Sequence, residues 1–228
     1  MLDFLISKNS IFLKNKKLIK LEEDIIIDTL SYISPRRKMI DVGACEGYWT
    51  VLLSPNFNII ESYEPCPENF KLLKANTSNT KKIKIYNNSL SDKNEEYSMF
   101  YFLKDNRYSS GDCIRCENFI HEYSKNLKIT EKLAKKILKL NTCLVNSFKY
   151  DDLKIDNDDL DFINIDVNGD ELRVLNGMVE TIKKYKPIVR IVSKKNNDVY
   201  DILKKCDYVS LNQELKLFKP KYREILIQ

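Results

Sequence analysis

Glycine is scarce in this sequence: only five of the 228 residues are glycine, and four of them fall in two short motifs. The first motif, Asp41-Val-Gly-Ala-Cys-Glu-Gly47, lacks the third glycine of a dinucleotide-binding fingerprint. It also lacks the lysine–serine/threonine pair that completes a phosphate-binding P-loop. The sequence therefore argues against a pyrophosphate cradle and against P-loop chemistry.

Long apolar runs are absent as well. The run Asp24-Ile-Ile-Ile-Asp28 is far too short to span a bilayer, and Met1-Leu-Asp-Phe shows no basic leader before an apolar core. The six cysteines are scattered, as reduced intracellular thiols usually are. We therefore expect a cytoplasmic protein without membrane contact.

Histidine occurs once, which limits the metal chemistry that the sequence can offer. Cys113-Ile-Arg-Cys116, with His121 and Cys143 as further candidates, is only a weak zinc signal because a second close pair of ligands is absent. We predict ordinary free cysteines and no metal site.

The chain length and its apolar content of 43% suit one domain, residues 1–228, with one sizeable core. The formal net charge is +5, and the basic residues form small clusters that are typical of solvated faces. A modest basic patch could still steer an anionic acceptor such as a nucleotide-sugar or RNA. The oligomeric state is not predicted.

Gly43 and Gly47 stand where a strand-like run turns into a helix-like run, where a backbone without side chains can pass close to a ligand. About 20 residues later a second strand-like run ends in Glu64, at the spacing with which nucleotide-binding folds contact ribose hydroxyls. Acids at Asp41 and Glu64 would repel phosphates, so S-adenosylmethionine, which combines a sulfonium, an amino acid and a ribose, fits this pattern. The alternative is a tight turn in a sheet protein without a cofactor.

The sequence resembles the FkbM-type S-adenosylmethionine-dependent methyltransferases, a class I family. The segments that carry the resemblance are Ile40-Asp-Val-Gly-Ala-Cys-Glu-Gly-Tyr-Trp-Thr50, Tyr63-Glu-Pro-Cys-Pro-Glu-Asn69, Asn88-Ser-Leu-Ser-Asp92 and Asp161 to Gly177, which continues to Lys186-Pro187. By resemblance, the first segment shapes the methionine pocket, Glu64 binds the ribose, and the turn after Asn88 lies beside the adenine. The predicted cofactor-binding residues are Asp41, Gly43, Ala44, Gly47, Tyr48, Thr50, Glu64, Pro65, Asn88 and Ser89.

The sequence departs from the family at the predicted catalytic end. Where the family usually has Lys-Ile-Asp-Val-Glu-Gly, this chain has Asn164 and Asn168, and the acid often found after Pro187 is missing from Ile188-Val-Arg-Ile-Val192. This end of the predicted site therefore has fewer charged residues than is usual in the family, although Asp166 remains. We predict that Asp166 orients or deprotonates the acceptor, helped by hydrogen bonds from the two asparagines. The alternative is an acid that only caps the next helix.

A rival arrangement combines Asp166 with Lys38 or an N-terminal lysine, with Lys194 or Lys195, and with Glu214. These residues would form the Lys-Asp-Lys-Glu set of RNA ribose 2′-O-methyltransferases. Our prediction is an O-methyltransferase acting on a hydroxyl of a sugar, a glycan or another small polar metabolite, with Lys194 as a further catalytic candidate. The RNA enzyme and a non-catalytic scaffold with a methyltransferase fold are the alternatives.

Strand-like and helix-like segments alternate, which predicts an α/β, Rossmann-like class I sheet, mostly parallel and with helices on both faces. The predicted strands are 38–43, 57–63, 82–87, 160–166, 187–193, 206–211 and 214–218. The clearest predicted helix runs from Gly169 to Pro187. We expect a helical N-terminal cap at 1–34 and an inserted, lid-like segment at 93–145 over the acceptor site, or else a packing excursion away from it.

Overall fold

The computed structural model describes residues 16–104, 107–115, 125, 128–133, 140–193 and 196–222. The helices are α1 (Lys16–Ser31), α2 (Tyr48–Leu53), α3 (Pro67–Thr77), α4 (Glu171–Asn176), α5 (Val179–Tyr185) and α6 (Asn196–Lys205), with a 3-10 turn at Tyr150–Leu153. The strands are β1 (Lys38–Val42), β2 (Ile59–Tyr63), β3 (Ile83–Tyr86), β4 (Ser89–Leu90), β5 (Glu95–Lys104), β6 (Arg107–Arg115), β7 (Leu140–Phe148), β8 (Leu160–Ile165), β9 (Ile188–Ile191), β10 (Tyr208–Asn212) and β11 (Leu217–Pro220).

Seven strands form the central sheet in the order β10-β11-β9-β8-β1-β2-β3. β1 pairs in parallel with β2 and β8, and the parallel pairing continues to β3 on one side and β9 on the other. Only β11 runs antiparallel to its neighbours β9 and β10. Parallel strands need long crossover connections, which the helices supply. The predicted α/β class I fold is therefore confirmed.

Alternate residues of the central strands supply two separate apolar cores, one on each face of the sheet. Ile40 and Ile163 face a core completed by α4, α5 and α6. Met39 and Phe162 face the other core, which α1 and α2 cover with residues such as Ile26 and Trp49. The period of two residues in a strand explains this division, because neighbouring side chains point to opposite faces.

The predicted N-terminal cap and inserted segment are partly described. α1 lies within the cap, whereas residues 1–15 are outside the described part of the chain. The inserted segment contributes most of a second sheet with the order β4-β7-β5-β6, in which β5 pairs antiparallel with β6 and β7. Residues 105–106, 116–124, 126–127 and 134–139 of the insertion are outside the description. No helix in the described residues is both long enough and apolar enough to cross a membrane.

Two local predictions are wrong in detail. The helix expected between Gly169 and Pro187 is two short helices, α4 and α5, separated at Gly177. A Cβ on Gly177 would overlap with the carbonyl oxygen of Ser91, so the chain bends where another backbone passes close by. The last two strands start later than predicted because a turn precedes each of them, with a positive φ at Asp207 before β10 and at Lys216 before β11.

Candidate functional site

A cavity of about 290 Å³ opens at the carboxyl ends of β1, β2 and β8. This is the edge at which open α/β sheets bind ligands. The predicted site residues in its wall are Asp41, Gly43, Ala44, Tyr48, Glu64, Pro65, Ser89, Asn164, Asp166 and Asn168. Gly47, Thr50 and Asn88 are described but lie outside the wall, and Lys194 is not among the described residues.

The turn after β1 requires glycine for reasons internal to the protein. Gly43 has a φ of +84°, and its N–H donates to the carbonyl oxygen of Tyr63 at 2.9 Å. A Cβ at this position would overlap with the backbone carbonyl of Asp166 and lie 2.9 Å from Cγ1 of Val167. We expected the missing side chain to admit a ligand, but close packing between the ends of β1 and β8 already demands it.

Glu64 is a buried carboxylate that joins two turns. Its Oε2 accepts the N–H of Cys45 at 2.8 Å, and its Oε1 accepts the N–H of Cys66 at 2.8 Å and the amide of Asn69 at 3.3 Å. Burial raises the pKa of Glu64 to about 7, and these hydrogen bonds oppose the rise. A carboxylate can accept about four hydrogen bonds. Glu64 therefore keeps acceptor capacity for hydroxyl groups in the cavity.

Hydrogen bonds hold the Asp41 carboxylate in place in the cavity wall. Its Oδ2 accepts the hydroxyl of Thr50 at 2.6 Å, and its Oδ1 accepts Nδ2 of Asn164 at 2.9 Å. The hydroxyl of Thr50 also lies 2.8 Å from that of Ser62. Burial raises the pKa of Asp41, whereas these hydrogen bonds and the charge of Arg190 lower it. Thr50 thus supports the site through Asp41, because its own side chain is fully buried.

Asp166 follows β8 directly and faces the cavity. Its backbone N–H donates to the carbonyl of Val42 at 3.0 Å, and 46% of its side chain is exposed. Desolvation by the surrounding walls raises the pKa of Asp166 to about 6; the charge of Arg190 lowers it, and the nearby carboxylates of Glu22 and Asp41 raise it. A carboxyl group that titrates near 6 is charged at neutral pH and is basic enough to accept a proton.

Arg190 places a positive charge at the end of the sheet where the sequence suggested a loss of charged residues. It is buried on β9, directly opposite Asn164 in the register of the parallel pair. Its NH1 donates to Oδ1 of Asn164 at 2.9 Å and lies 3.8 Å from Oδ2 of Asp166. The guanidinium carbon is 4.1 Å from the centre of the Trp49 ring. An arginine inside the apolar run Ile188–Ile191 was the signal that could have revealed it.

Sequence analysis also missed cavity residues from elements distant in the chain. Glu22 on α1 lines the cavity, and its Oε2 accepts the indole N–H of Trp49 at 3.2 Å. Tyr97 and Met99 on β5 line it as well and pack with Cys66, close to Glu64. These two side chains of the inserted segment therefore lie on the Glu64 side of the cavity.

The lysines of the rival RNA-type arrangement do not assemble around Asp166 in the described residues. Lys38 begins β1, at the opposite edge of the sheet. Its buried ammonium lies 3.1 Å from Oε1 of Glu61 and donates to Oδ1 of Asn157 at 2.7 Å. The parallel register places Lys38 beside the start of β8, whereas Asp166 follows the end of β8. The assignment of Lys38 to a site around Asp166 is therefore wrong. Glu214 is exposed before β11, and Lys194 and Lys195 lie outside the description.

The weak zinc signal finds no support in the part of the chain that can be described. No group of three or more histidine, cysteine, aspartate or glutamate side chains there is arranged to hold a metal ion. Cys143 is a free thiol on β7. Cys116 and His121 lie outside the described residues.

A comparison with models of protein families matches residues 41–210 to the methyltransferase FkbM domain. The match covers well over half of the chain. The chain belongs to the FkbM methyltransferase family. Its cofactor is S-adenosylmethionine, so the family and cofactor predicted from the sequence are confirmed. A search of curated proteins found no match.

Several solved structures are similar to this FkbM chain at low sequence identity. An FkbM methyltransferase from Methylobacillus flagellatus KT is 18% identical with a TM-score of 0.48, and the match covers 76% of this chain but only 38% of that protein. A precorrin-6y C5,15-methyltransferase from Geobacter metallireducens GS-15 is 12% identical with a TM-score of 0.45, over 86% of this chain and 76% of that one. A precorrin-8w decarboxylase from Methanobacterium thermoautotrophicum is 11% identical with a TM-score of 0.44, and the match covers 83% of this chain and 73% of that one.

The described cavity fits the cofactor of the family. The charged side chains in its wall are all carboxylates, namely Glu22, Asp41, Glu64, Asp166 and Asp170, and no lysine or arginine is among the described lining residues. Such a wall favours a cationic ligand and disfavours phosphate groups. Glu64 would accept hydrogen bonds from ribose hydroxyls, and Asp41 would face the cationic methionine end.

Proposed function

We propose that this protein transfers the methyl group of S-adenosylmethionine to a hydroxyl of a sugar or another small polar metabolite. The observation that carries the proposal is the position of Asp166, partly exposed at the carboxyl end of β8 in a cavity that suits the cofactor. Bound there, the cofactor supplies an electrophilic methyl group on a sulfonium. Methyl transfer needs little covalent assistance beyond alignment and an acceptor for the hydroxyl proton.

Asp166 is the proposed general base. Its carboxylate would take the proton from the acceptor hydroxyl as the acceptor oxygen gains the methyl group, which balances charge and atoms in a single displacement. A pKa of about 6 keeps Asp166 deprotonated at neutral pH and yet more basic than an ordinary carboxylate. Asn168 lies exposed in the same wall and would offer the acceptor a hydrogen bond.

The charge of the cavity wall supports a small neutral acceptor over RNA. A polynucleotide needs cationic groups that follow its phosphates, whereas the described wall presents carboxylates. Tyr48 and Trp49 add aromatic surface of the kind that contacts the apolar face of a sugar ring. Both features favour a sugar-like or other polyhydroxylated acceptor.

Replacement of the proposed base tests this function. Asp166→Asn keeps the shape of the side chain but removes the proton acceptor, so we expect methyl transfer to fall by roughly a hundredfold or more. Cofactor affinity, measured by calorimetry, should stay nearly unchanged. Asp158→Asn is the matched control, because Asp158 is exposed before the start of β8, away from the cavity, and its replacement should be nearly neutral. In the wild type, kcat/KM should rise with pH through a midpoint near 6 and level off above it.

The acceptor is to be identified with labelled S-adenosylmethionine, capped RNA and a panel of glycans assayed side by side. Methylation of a glycan would support the proposal. Methylation of RNA alone, with a steep loss of activity at high salt, would contradict it and favour the RNA alternative. Tight cofactor binding without transfer to any acceptor would favour a non-catalytic scaffold.

A further inference from the structure

The burial of Arg190 is energetically unusual. The residue is 6% exposed, and its Nε has no hydrogen-bond partner among the described residues. A buried guanidinium costs several kcal/mol unless opposite charges and hydrogen bonds compensate it. Burial accordingly lowers the pKa of Arg190, while Asp166, Glu22 and Asp41 raise it. An uncompensated donor in such a place needs an explanation beyond packing.

The sheet fixes the guanidinium in one place. Asn164 and Arg190 are register partners on adjacent parallel strands, and the Trp49 ring covers the guanidinium at 4.1 Å. Trp49 is itself held by its hydrogen bond to Glu22 on α1. Three separate elements therefore restrain the guanidinium, which leaves it little freedom to move away from Asp166.

The same contact sets the orientation of a side-chain amide. Asn164 donates Nδ2 to Asp41 and accepts NH1 of Arg190 on Oδ1. Rotating this amide by 180° would place a donor against the guanidinium and an acceptor against the carboxylate. Only one orientation satisfies both neighbours. Arg190 thus links the cofactor end of the site, through Asn164 and Asp41, with the acceptor end at Asp166.

We propose that Arg190 is a positioning residue that holds Asp166 as a charged, oriented base through a cation placed behind the cavity wall. This inference rests on the proposed role of Asp166 in the reaction. Arg190 is not among the residues that line the cavity, so it acts on the acceptor through Asp166 and Asn164.

Arg190 opposes the other influences on the pKa of Asp166. Arg190 on β9 lowers the pKa of Asp166. The carboxylates of Glu22 on α1, Asp41 on β1 and Glu171 on α4 all raise it, as does burial. Without Arg190, burial and three carboxylates would act on Asp166 with no compensating cation among the described residues, so its pKa would rise.

A titration of the Asp166 carboxyl by NMR on the ¹³C-labelled, cofactor-free protein tests the proposal. Asp166→Asn assigns the resonance. In Arg190→Gln, which keeps a donor for Asn164 but removes the charge, the midpoint should rise by roughly 1 to 3 pH units above that of the wild type. Arg190→Lys keeps the charge, so its midpoint should stay near the wild-type value. Arg37→Gln is the matched control, since it removes an ion pair with Asp161 at the opposite edge of the sheet and should not move the midpoint.

An unchanged midpoint in folded Arg190→Gln would overturn the proposal, as would an equal shift in Arg37→Gln. If Arg190→Gln does not fold, the double variant Arg190→Met/Asn164→Lys places an ammonium on the register partner. That variant should restore a midpoint near the wild-type value, and a midpoint roughly 1 unit or more higher would refute the proposal. A raised midpoint in Arg190→Gln together with full activity of Asp166→Asn would support this inference and refute Asp166 as the base.

Discussion

The packing of Gly43 predicts a large loss of stability for the smallest substitution, Gly43→Ala. Two costs add. A left-handed backbone, here with a φ of +84°, costs an alanine about 1–2 kcal/mol. Overlap of the new Cβ with the rigid backbone of Asp166 adds about 1–3 kcal/mol. We therefore expect Gly43→Ala to lower the free energy of unfolding by about 2–5 kcal/mol, a large part of a typical total of about 5–15 kcal/mol.

The other glycines provide controls that separate the two costs. Gly169 has a φ of +106°, but a Cβ added there would meet nothing within 4 Å, so Gly169→Ala should lose only the backbone cost of about 1–2 kcal/mol. Gly47→Ala adds a contact of 2.7 Å with the flexible end of Leu73, which can move aside. We expect the loss of stability to decrease in the order Gly43, Gly47, Gly169.

Urea unfolding of the cofactor-free protein measures these differences, with the fluorescence of Trp49, the sole tryptophan, as the signal. A loss of about 2–5 kcal/mol at a slope of about 2–3 kcal/mol/M lowers the midpoint by about 1–2 M. If Gly43→Ala were no less stable than Gly169→Ala and yet bound S-adenosylmethionine poorly, Gly43 would serve the ligand, and the packing argument would be refuted.

Three further predictions concern the cavity and the opposite edge of the sheet. Because the pKa of Glu64 is raised to about 7, protons should compete with S-adenosylmethionine below that pH. Calorimetry should show the affinity for the cofactor falling by up to about tenfold for each pH unit below 7. Glu64→Gln should abolish this pH dependence. Tyr97→Ala should weaken cofactor binding by about 1–2 kcal/mol without changing the ranking of acceptors, and an altered ranking at unchanged affinity would place β5 at the acceptor instead. Lys38→Met should destabilise the protein by about 3–5 kcal/mol in urea unfolding, because it leaves Glu61 without its buried ion-pair partner. A loss of turnover in the folded variant would instead support a catalytic role for Lys38.

The sequence by itself determined the family, the cofactor and the parallel sheet. Local sequence patterns indicate these features: glycines after an apolar run, an acid at the end of the next strand, and apolar segments of strand length. The segment Asp41 to Gly47 can be recognised from its own residues, because its two glycines follow an apolar run. The packing against Asp166 that requires Gly43 is visible only in the folded chain.

Only the tertiary structure decided which side chains meet around Asp166, at the proposed acceptor end of the site. Arg190 reaches Asn164 and Asp166 because β9 pairs with β8 in one particular register, and Glu22 reaches Trp49 because α1 packs over α2. Residues that are far apart in the chain are brought together by strand pairing and helix packing, and neither is encoded in the spacing of nearby residues. For this reason the sequence suggested a site that had lost its charge, whereas the folded chain supplies a buried cation from the neighbouring strand.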